Sequence, residues 1–239
     1  MIPKRYSAAI AGATGNMLEW FDFAIYGYFA TALGKVFFPA SDPTLQTIAS
    51  FGIFAIGYLA RPIGSLILGP VGDLLGRRKM MIWSIMIMGV ASFMVALLPS
   101  YAQVGAIAAY ALLFLRMTQG FSIGGEYTGS MVYAAEASPQ GKEGLMSGIA
   151  HAGALLGFFL GSLTAALTAF VFGENAVNDW AWRLPFLLGA LVAIAGWKLR
   201  AHMPETLETA IEHKLSFKEL FALITLRLKE VAHGWRVLV

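Results

Sequence analysis

The chain has 239 residues, of which 58% are hydrophobic and 13% are charged, and its mean hydropathy is +0.67. Soluble domains carry about a quarter charged residues, so this composition excludes an ordinary soluble globule and predicts a protein that crosses the membrane several times. The chain has no cysteine, which excludes disulfides, and its four histidines lack the spacing of metal ligands, so we expect no metal site. The net charge is +3, but the basic residues lie in loops, so we expect no nucleic-acid partner.

Six apolar segments are each long enough to cross a bilayer, which takes about 20 residues. They cover residues 8–38, 47–71, 80–98, 104–135, 145–172 and 181–199. The first is too long and too acidic for a cleavable signal peptide. Residues 1–201 are therefore predicted to form an all-α bundle of six transmembrane helices.

The distribution of Lys and Arg predicts the orientation of the spans. Most of the 17 basic residues fall on one side of the membrane, including Lys198 and Arg200 at the end of the sixth span, and only Lys35 and Arg183 fall on the other. Both termini are therefore predicted to be cytoplasmic.

The tail, residues 202–239, differs from the spans. "SFKE" at Ser216–Glu219 has the pattern of a capping box, and apolar residues follow it at helical spacing. The pattern predicts an amphipathic helix, which would lie on the cytoplasmic membrane surface or pack on a neighbouring domain as a solvated linker.

Four polar residues in the first span recur at helical spacing: Asn16, Glu19, Asp22 and Tyr26. A stripe of this kind predicts a helix with one side on an aqueous cavity. Two buried acids on one face favour retention of a proton by one of them, which proton coupling requires. Arg61 and Arg116 are the available counter-charges within the spans. The alternative is that the acids pair permanently with these arginines and fix the helix packing.

The loop "GPVGDLLGRRK" at Gly69–Lys79 fits the pattern G-x-x-x-D-x-x-G-R-[RK]-[RK] of the major facilitator superfamily, with Leu74 as a minor departure. A positive-inside loop with accidental glycines is the alternative. Asp73 is placed to cap a helix N-terminus. The resemblance implies that Asp73 and Arg77 lock the two transporter halves together, with an acid at the end of the fourth span as the partner of Arg77. The predicted cytoplasmic gate is Gly69, Asp73, Gly76, Arg77, Arg78 and Glu136.

The fourth span contains "RMTQGFSIGGEYTG" at Arg116–Gly129, which is similar to the superfamily motif R-x-x-Q-G-x-x-x-[GA]. An arginine within a membrane helix costs ~2.5–3.5 kcal/mol on insertion scales, so Arg116 is expected to face a polar cavity or an acidic partner. The predicted path for substrate and proton is Glu19, Asp22, Tyr26, Arg61, Arg116, Gln119 and Glu126. In the fifth span, Gly153, Gly157 and Gly161 predict a close contact between helices.

Four phrases together resemble the metabolite:proton symporter family: "EWFDF", "RP" at Arg61–Pro62, "QGFSIGGEYTG" and "WRLPF" at Trp182–Phe186. Members carry proline and glycine betaine, citrate, 2-oxoglutarate or shikimate. "ALGKVFFPASDP" and "GGEYTG" are most similar to the proline/glycine-betaine branch, and "LSFKEL" in the tail agrees. The resemblance implies two inverted three-helix repeats, a bacterial-type inner membrane, and symport of a zwitterion or organic acid with protons, with the proton gradient and no cofactor as the energy source.

The superfamily fold has twelve spans in two halves, and this chain supplies the N-terminal six. A lone bundle would expose the polar stripe to lipid, so a second six-helix half, from the same chain type or a separate partner, is expected. Alternatives are a di- or tricarboxylate symporter, and a truncated, non-transporting half or assembly subunit. A membrane enzyme is the weakest possibility, since no nucleophile–base or metal constellation occurs.

Overall fold

The computed structural model describes residues 4–39, 42–202, 222 and 225–226, and over these ranges the chain is helical without strands. The elements in chain order are α1 (Lys4–Phe37), α2 (Pro43–Leu75), α3 (Arg77–Leu97), the short α4 (Tyr101–Val104), α5 (Ile107–Glu136), α6 (Glu143–Ala176), a π-helical turn (Val177–Ala181) and α7 (Arg183–Ala201). The all-α prediction is confirmed. The predicted tail helix lies almost entirely outside the described residues.

The second helix has clear local signals at both ends. Asp42 is its N-cap and accepts a hydrogen bond from the Thr44 backbone N–H at 2.7 Å, and Pro43 occupies the first turn, where its missing N–H costs nothing. Gly76 ends the helix with φ +101°, a conformation that favours glycine, and is also the N-cap of α3. Asp73 lies in the last turn of α2, and because its side chain lies outside the described residues, its capping role stays a prediction.

Among the described residues, six helices are long, and five of these are long and apolar enough to cross a membrane by length and composition. These are α2, α3, α5, α6 with its π-helical turn, and α7. The remaining long helix, α1, carries Glu19 and Asp22 near its centre, and these acids lower its hydropathy. The six-span prediction is therefore supported approximately, with α1 identified as a span by its length and its packing within the bundle.

The helix contacts are those of two inverted repeats. The largest contacts pair α1 with α6, α2 with α5, and α3 with α7. Let α1–α3 form one repeat and α5–α7 the other, so that α1 corresponds to α5, α2 to α6 and α3 to α7. The contact between α1 and α6 then corresponds to the contact between α5 and α2. The contact between α3 and α7 corresponds to itself. Each repeat has three spans, so the second enters the membrane from the opposite side and is inverted.

Glycines allow the closest of these contacts. Gly153, Gly157 and Gly161 of α6 lie against the α1 backbone, where an added Cβ would overlap atoms of residues such as Ala13 and Met17. The predicted glycine stripe is confirmed as a site of close helix contact. Membrane helices associate through such packing because lipid provides no hydrophobic drive between them.

The same arrangement joins α2 to α5. Gly120 lies against the backbone of Gly57, and Gly124 lies against the backbone of Arg61. Two glycines of the fourth-span motif therefore serve helix packing, and the motif's Arg116 and Gln119 lie on the same helix close to this contact.

Candidate functional site

Four acid–arginine ion pairs connect the helices in the described part of the chain. Three of them are in the interior of the bundle, and the fourth lies at the end where α2 and α3 meet. The pairs are Glu19–Arg61 (2.7 Å, α1 to α2), Asp22–Arg116 (2.6 Å, α1 to α5), Glu126–Arg200 (2.6 Å, α5 to α7) and Arg77–Glu136 (3.0 Å, α3 to α5).

Asp22 is fully buried and has a hydrogen-bond donor for each carboxylate oxygen. Oδ2 accepts from Arg116 Nη1 at 2.6 Å, and Oδ1 accepts from Ser92 Oγ at 2.7 Å and Gln119 Nε2 at 3.1 Å. The Arg116 guanidinium lies over the Tyr26 ring, 4.0 Å from its centroid. This cluster compensates both charges and fixes α1, α3 and α5 against one another, as the alternative interpretation of the acids predicted.

Tyr26 closes the cluster from the side of α2. Its hydroxyl donates to the Ser50 carbonyl oxygen at 3.0 Å, and its ring stacks on Phe54 with centroids 5.5 Å apart. Tyr26 and Ser50 are both fully buried. The Asp22–Arg116 pair is therefore closed to solvent and to lipid within this bundle.

Glu126 and Arg200 form a second sealed pair, which sequence reasoning missed. Arg200 is 0% exposed, donates from Nη2 to Glu126 Oε1, and donates from Nη1 to the Met81 carbonyl oxygen at 2.7 Å. Its Nε and Nη2 also lie 3.3 Å from the Ala11 carbonyl oxygen. Gly15 leaves room for the pair, because a Cβ there would overlap both charged groups.

One prediction about this pair needs correction. Arg200 does not lie in a loop as a topology-setting cation; the last turn of α7 carries it into the bundle. Glu126 forms an ion pair with Arg200, and its place on the transport path stays a prediction. Nothing in the local sequence separates Arg200 from Lys198, which is exposed two residues earlier.

The Glu19–Arg61 pair differs from the other two because it borders an open pocket. Glu19 is buried, but the Arg61 side chain is 14% exposed, and its guanidinium lies 4.0 Å from the Phe23 ring centroid and 4.5 Å from that of Tyr58. The pocket has a volume of about 460 Å³ and is lined by Trp20, Tyr58, Arg61, Pro62, Ser65, Ile123 and Gly124.

The sequence predicted that the polar stripe of α1 faces an aqueous cavity, and this prediction is wrong. Asn16, Glu19, Asp22 and Tyr26 are at most 1% exposed. Asn16 donates to the Ala150 carbonyl oxygen at 2.8 Å and accepts from a serine hydroxyl of α5. Helical spacing placed these residues on one face, but that face is turned to the bundle interior. An isolated bundle would therefore not expose the stripe to lipid.

The predicted gate residues lie together where α2, α5 and α7 end and α3 begins. Arg77 and Glu136 are 3.0 Å apart and both partly exposed. Arg78 donates to backbone carbonyl oxygens at the end of α7. Gly69 lines a groove beside Arg77, and Gly76 forms the turn. The Asp73 side chain lies outside the described part of the structure.

Within the described residues, no group of three or more His, Asp or Glu side chains is placed to hold a metal ion. The expectation that the protein uses no cofactor remains a prediction. The chemistry that the arrangement can support is charge compensation and proton uptake by carboxylates that face arginines across helix interfaces.

Comparison with known proteins identifies the family. A model of the family "Sugar (and other) transporter" matches residues 8–214. The proline/betaine transporter of Salmonella typhimurium is 43% identical over 203 residues, which cover 85% of this chain and 41% of the relative. The citrate-proton symporter of Klebsiella pneumoniae is 35% identical over 231 residues, or 96% of this chain and 52% of the relative.

A solved structure of the xylose transporter XylE from E. coli, in a partially occluded inward-open conformation, has the same fold. It superposes with a TM-score of 0.76 at 18% identity, over 98% of this chain and 60% of that one. The chain thus spans about half the length, or less, of the curated relatives described above. The resemblance to the major facilitator superfamily is confirmed: the chain belongs to its sugar (and other) transporter family, a family of multi-pass membrane transporters rather than enzymes.

Proposed function

We propose that the chain forms one six-helix half of a symporter that moves a small osmolyte or amino acid, such as proline or glycine betaine, together with protons. The observation that carries this proposal is the 43% identity to a proline/betaine transporter over 85% of the chain. The proton gradient would supply the energy, without a cofactor.

Glu19 is the acid that we assign to proton coupling. Its partner Arg61 borders an open pocket, whereas Asp22 and Glu126 are closed in by their partners. When Glu19 takes up a proton, it loses the charge that attracts Arg61. The Arg61 guanidinium is then available to a negatively charged group of the substrate. Proton uptake and substrate binding would thereby favour each other, as symport requires.

The remaining parts of the proposal follow the superfamily plan. The chain would lie in a bacterial inner membrane with both termini in the cytoplasm, and the Arg77–Glu136 pair would belong to the cytoplasmic gate. A second six-helix half, from the same chain type or a separate partner, would complete the path. The relatives support a second half, because the chain spans only 41% of the length of the proline/betaine transporter and 52% of that of the citrate-proton symporter.

Uptake into proteoliposomes tests this function. The chain is reconstituted alone and together with the rest of the Salmonella typhimurium relative, and uptake of labelled glycine betaine is followed with and without an acidic exterior. We expect gradient-dependent uptake that Glu19→Gln abolishes and that Glu174→Gln, at an exposed position, leaves intact. Absence of gradient-driven uptake from every preparation would overturn the proposal.

A di- or tricarboxylate substrate is the second candidate. The match to the citrate-proton symporter covers 96% of the chain, although at the lower identity of 35%. Citrate that competes with labelled betaine, or is itself taken up, would favour this substrate class. A chain that forms complexes by native mass spectrometry but never supports uptake would instead be a non-transporting subunit.

A further inference from the structure

Arg61 has more hydrogen-bond donors than its ion pair uses. Nη1 lies 2.7 Å from Glu19 Oε1, while Nε and Nη2 are buried and have no hydrogen-bond partner among the described residues. The same holds for Nε1 of Trp20, which lines the same pocket. Buried N–H donors are normally paired, and a guanidinium presents its donors as a planar fork that fits a carboxylate.

Aromatic rings stand beside these donors. Tyr58 is 50% exposed and Trp20 is partly exposed, and both line the pocket. Aromatic faces attract quaternary ammonium groups through the ring quadrupole. The pocket therefore combines donors for an anion with surfaces for a bulky cation.

Other parts of the described structure do not offer this combination. The guanidinium of Arg116 is closed in by Asp22 and Tyr26, and Arg200 is fully buried. An apolar groove between α3 and α7, lined by residues such as Phe93 and Trp197, has no charged side chain.

We propose that the pocket lined by Trp20, Tyr58 and Arg61 is a binding subsite for a methylated zwitterion, in which Arg61 binds the carboxylate and the two aromatic rings contact the ammonium end. This inference rests on the proposed function and assigns its substrate to a place in the chain. The volume of about 460 Å³ lies within the range of about 300–1,000 Å³ that is usual for small-molecule sites.

Three probes of related shape separate the contributions of the two ends. Glycine betaine carries both charges. In 3,3-dimethylbutanoate a carbon replaces the ammonium nitrogen, so only the carboxylate is charged. Choline keeps the quaternary ammonium and has a hydroxymethyl group in place of the carboxylate. Binding to the full chain in lipid nanodiscs is measured by calorimetry. We expect betaine to bind more tightly than either single-charge probe.

Two variants test which residue contacts the carboxylate end of betaine and which contacts its ammonium end. Arg61→Lys keeps a positive charge beside Glu19 but removes the fork, so we expect the Kd of betaine and of 3,3-dimethylbutanoate to rise about tenfold and that of choline to change less than twofold. Tyr58→Leu should raise the Kd of betaine and choline about threefold and leave that of 3,3-dimethylbutanoate within twofold. Tyr110→Leu, at a more exposed tyrosine outside the pocket, is the control and should change none of them.

The proposal is overturned if wild-type chain shows no saturable betaine binding, or if folded Arg61→Lys binds betaine as wild type does. If Tyr58→Leu and Tyr110→Leu have equal effects on betaine binding, the proposed contact between Tyr58 and the ammonium group is refuted. The uptake assay keeps the two proposals apart. Arg61-dependent binding without proton-driven uptake would refute the symport function and support the subsite. Proton-driven uptake, together with binding that does not depend on Arg61, would support the symport function and refute the subsite.

Discussion

Substitution of Gly15 by alanine should open the buried Glu126–Arg200 pair. The added methyl group would overlap Arg200 Nη2 and Glu126 Oε1, so one of the two charged groups must move. Both side chains are buried. Breaking a buried ion pair costs about 3–5 kcal/mol, and the better helix propensity of alanine returns about 1 kcal/mol. The expected net loss in the free energy of unfolding is therefore about 2–4 kcal/mol.

The measurement is a denaturant titration in detergent micelles followed by helical circular dichroism. Gly27→Ala is the matched control because it lies in the same helix and its Cβ would have open space around it. This control should be neutral or stabilise the protein by up to about 1 kcal/mol, since alanine restricts the unfolded chain and favours the helix.

A second background tests the cause of the loss. When Glu126 and Arg200 are both replaced by alanine, the space beside Gly15 is free, and Gly15→Ala should then cost less than about 1 kcal/mol. If Gly15→Ala is as harmless as Gly27→Ala in the wild type, or if its cost is the same in both backgrounds, the charged pair is not what requires glycine at this position.

Three further predictions use the same unfolding measurement. Asp22→Asn should destabilise the bundle by about 3 kcal/mol, because it leaves Arg116 buried without a counter-charge, and a loss below 1 kcal/mol would contradict this. Gly157→Ala should cost about 1–3 kcal/mol by forcing α6 away from α1, whereas Gly148→Ala, with open space at its Cβ, should not. Arg77→Gln should change stability by no more than about 1 kcal/mol because its pair with Glu136 is partly exposed; a larger, salt-independent loss would show that this pair holds the bundle together.

Much of the fold could be predicted because a bilayer permits few structures. An apolar segment of about 20 residues in lipid must satisfy its backbone hydrogen bonds internally, so it forms a helix. Breaks between helices are marked by residues such as Pro43 and Gly76, which have specific effects on the backbone. The glycine stripe and the proximity of Arg77 to Glu136 could also be predicted, from helical spacing and from a family resemblance respectively.

The direction of the polar face could not be predicted in this way. Helical periodicity shows that Asn16, Glu19, Asp22 and Tyr26 share a side of α1, but polar residues occur both on cavity walls and in sealed interhelical clusters. Only the three-dimensional partners separate the two cases. Arg200 was misassigned for a related reason, since a cation at the end of a span reads as a loop residue whether it points outward or, as here, into the bundle.

The contact between α1 and α5 also sets a requirement on biosynthesis. Asp22 and Arg116 are 94 residues apart in sequence, so the helix with the acid is synthesised long before the helix with its counter-ion. An aspartate at the centre of a lone membrane helix costs about 2.5–3.5 kcal/mol on insertion scales. The first helix must therefore either enter the bilayer at this cost or remain beside the insertion machinery until the later helices arrive, which makes the order of helix release part of how this bundle forms.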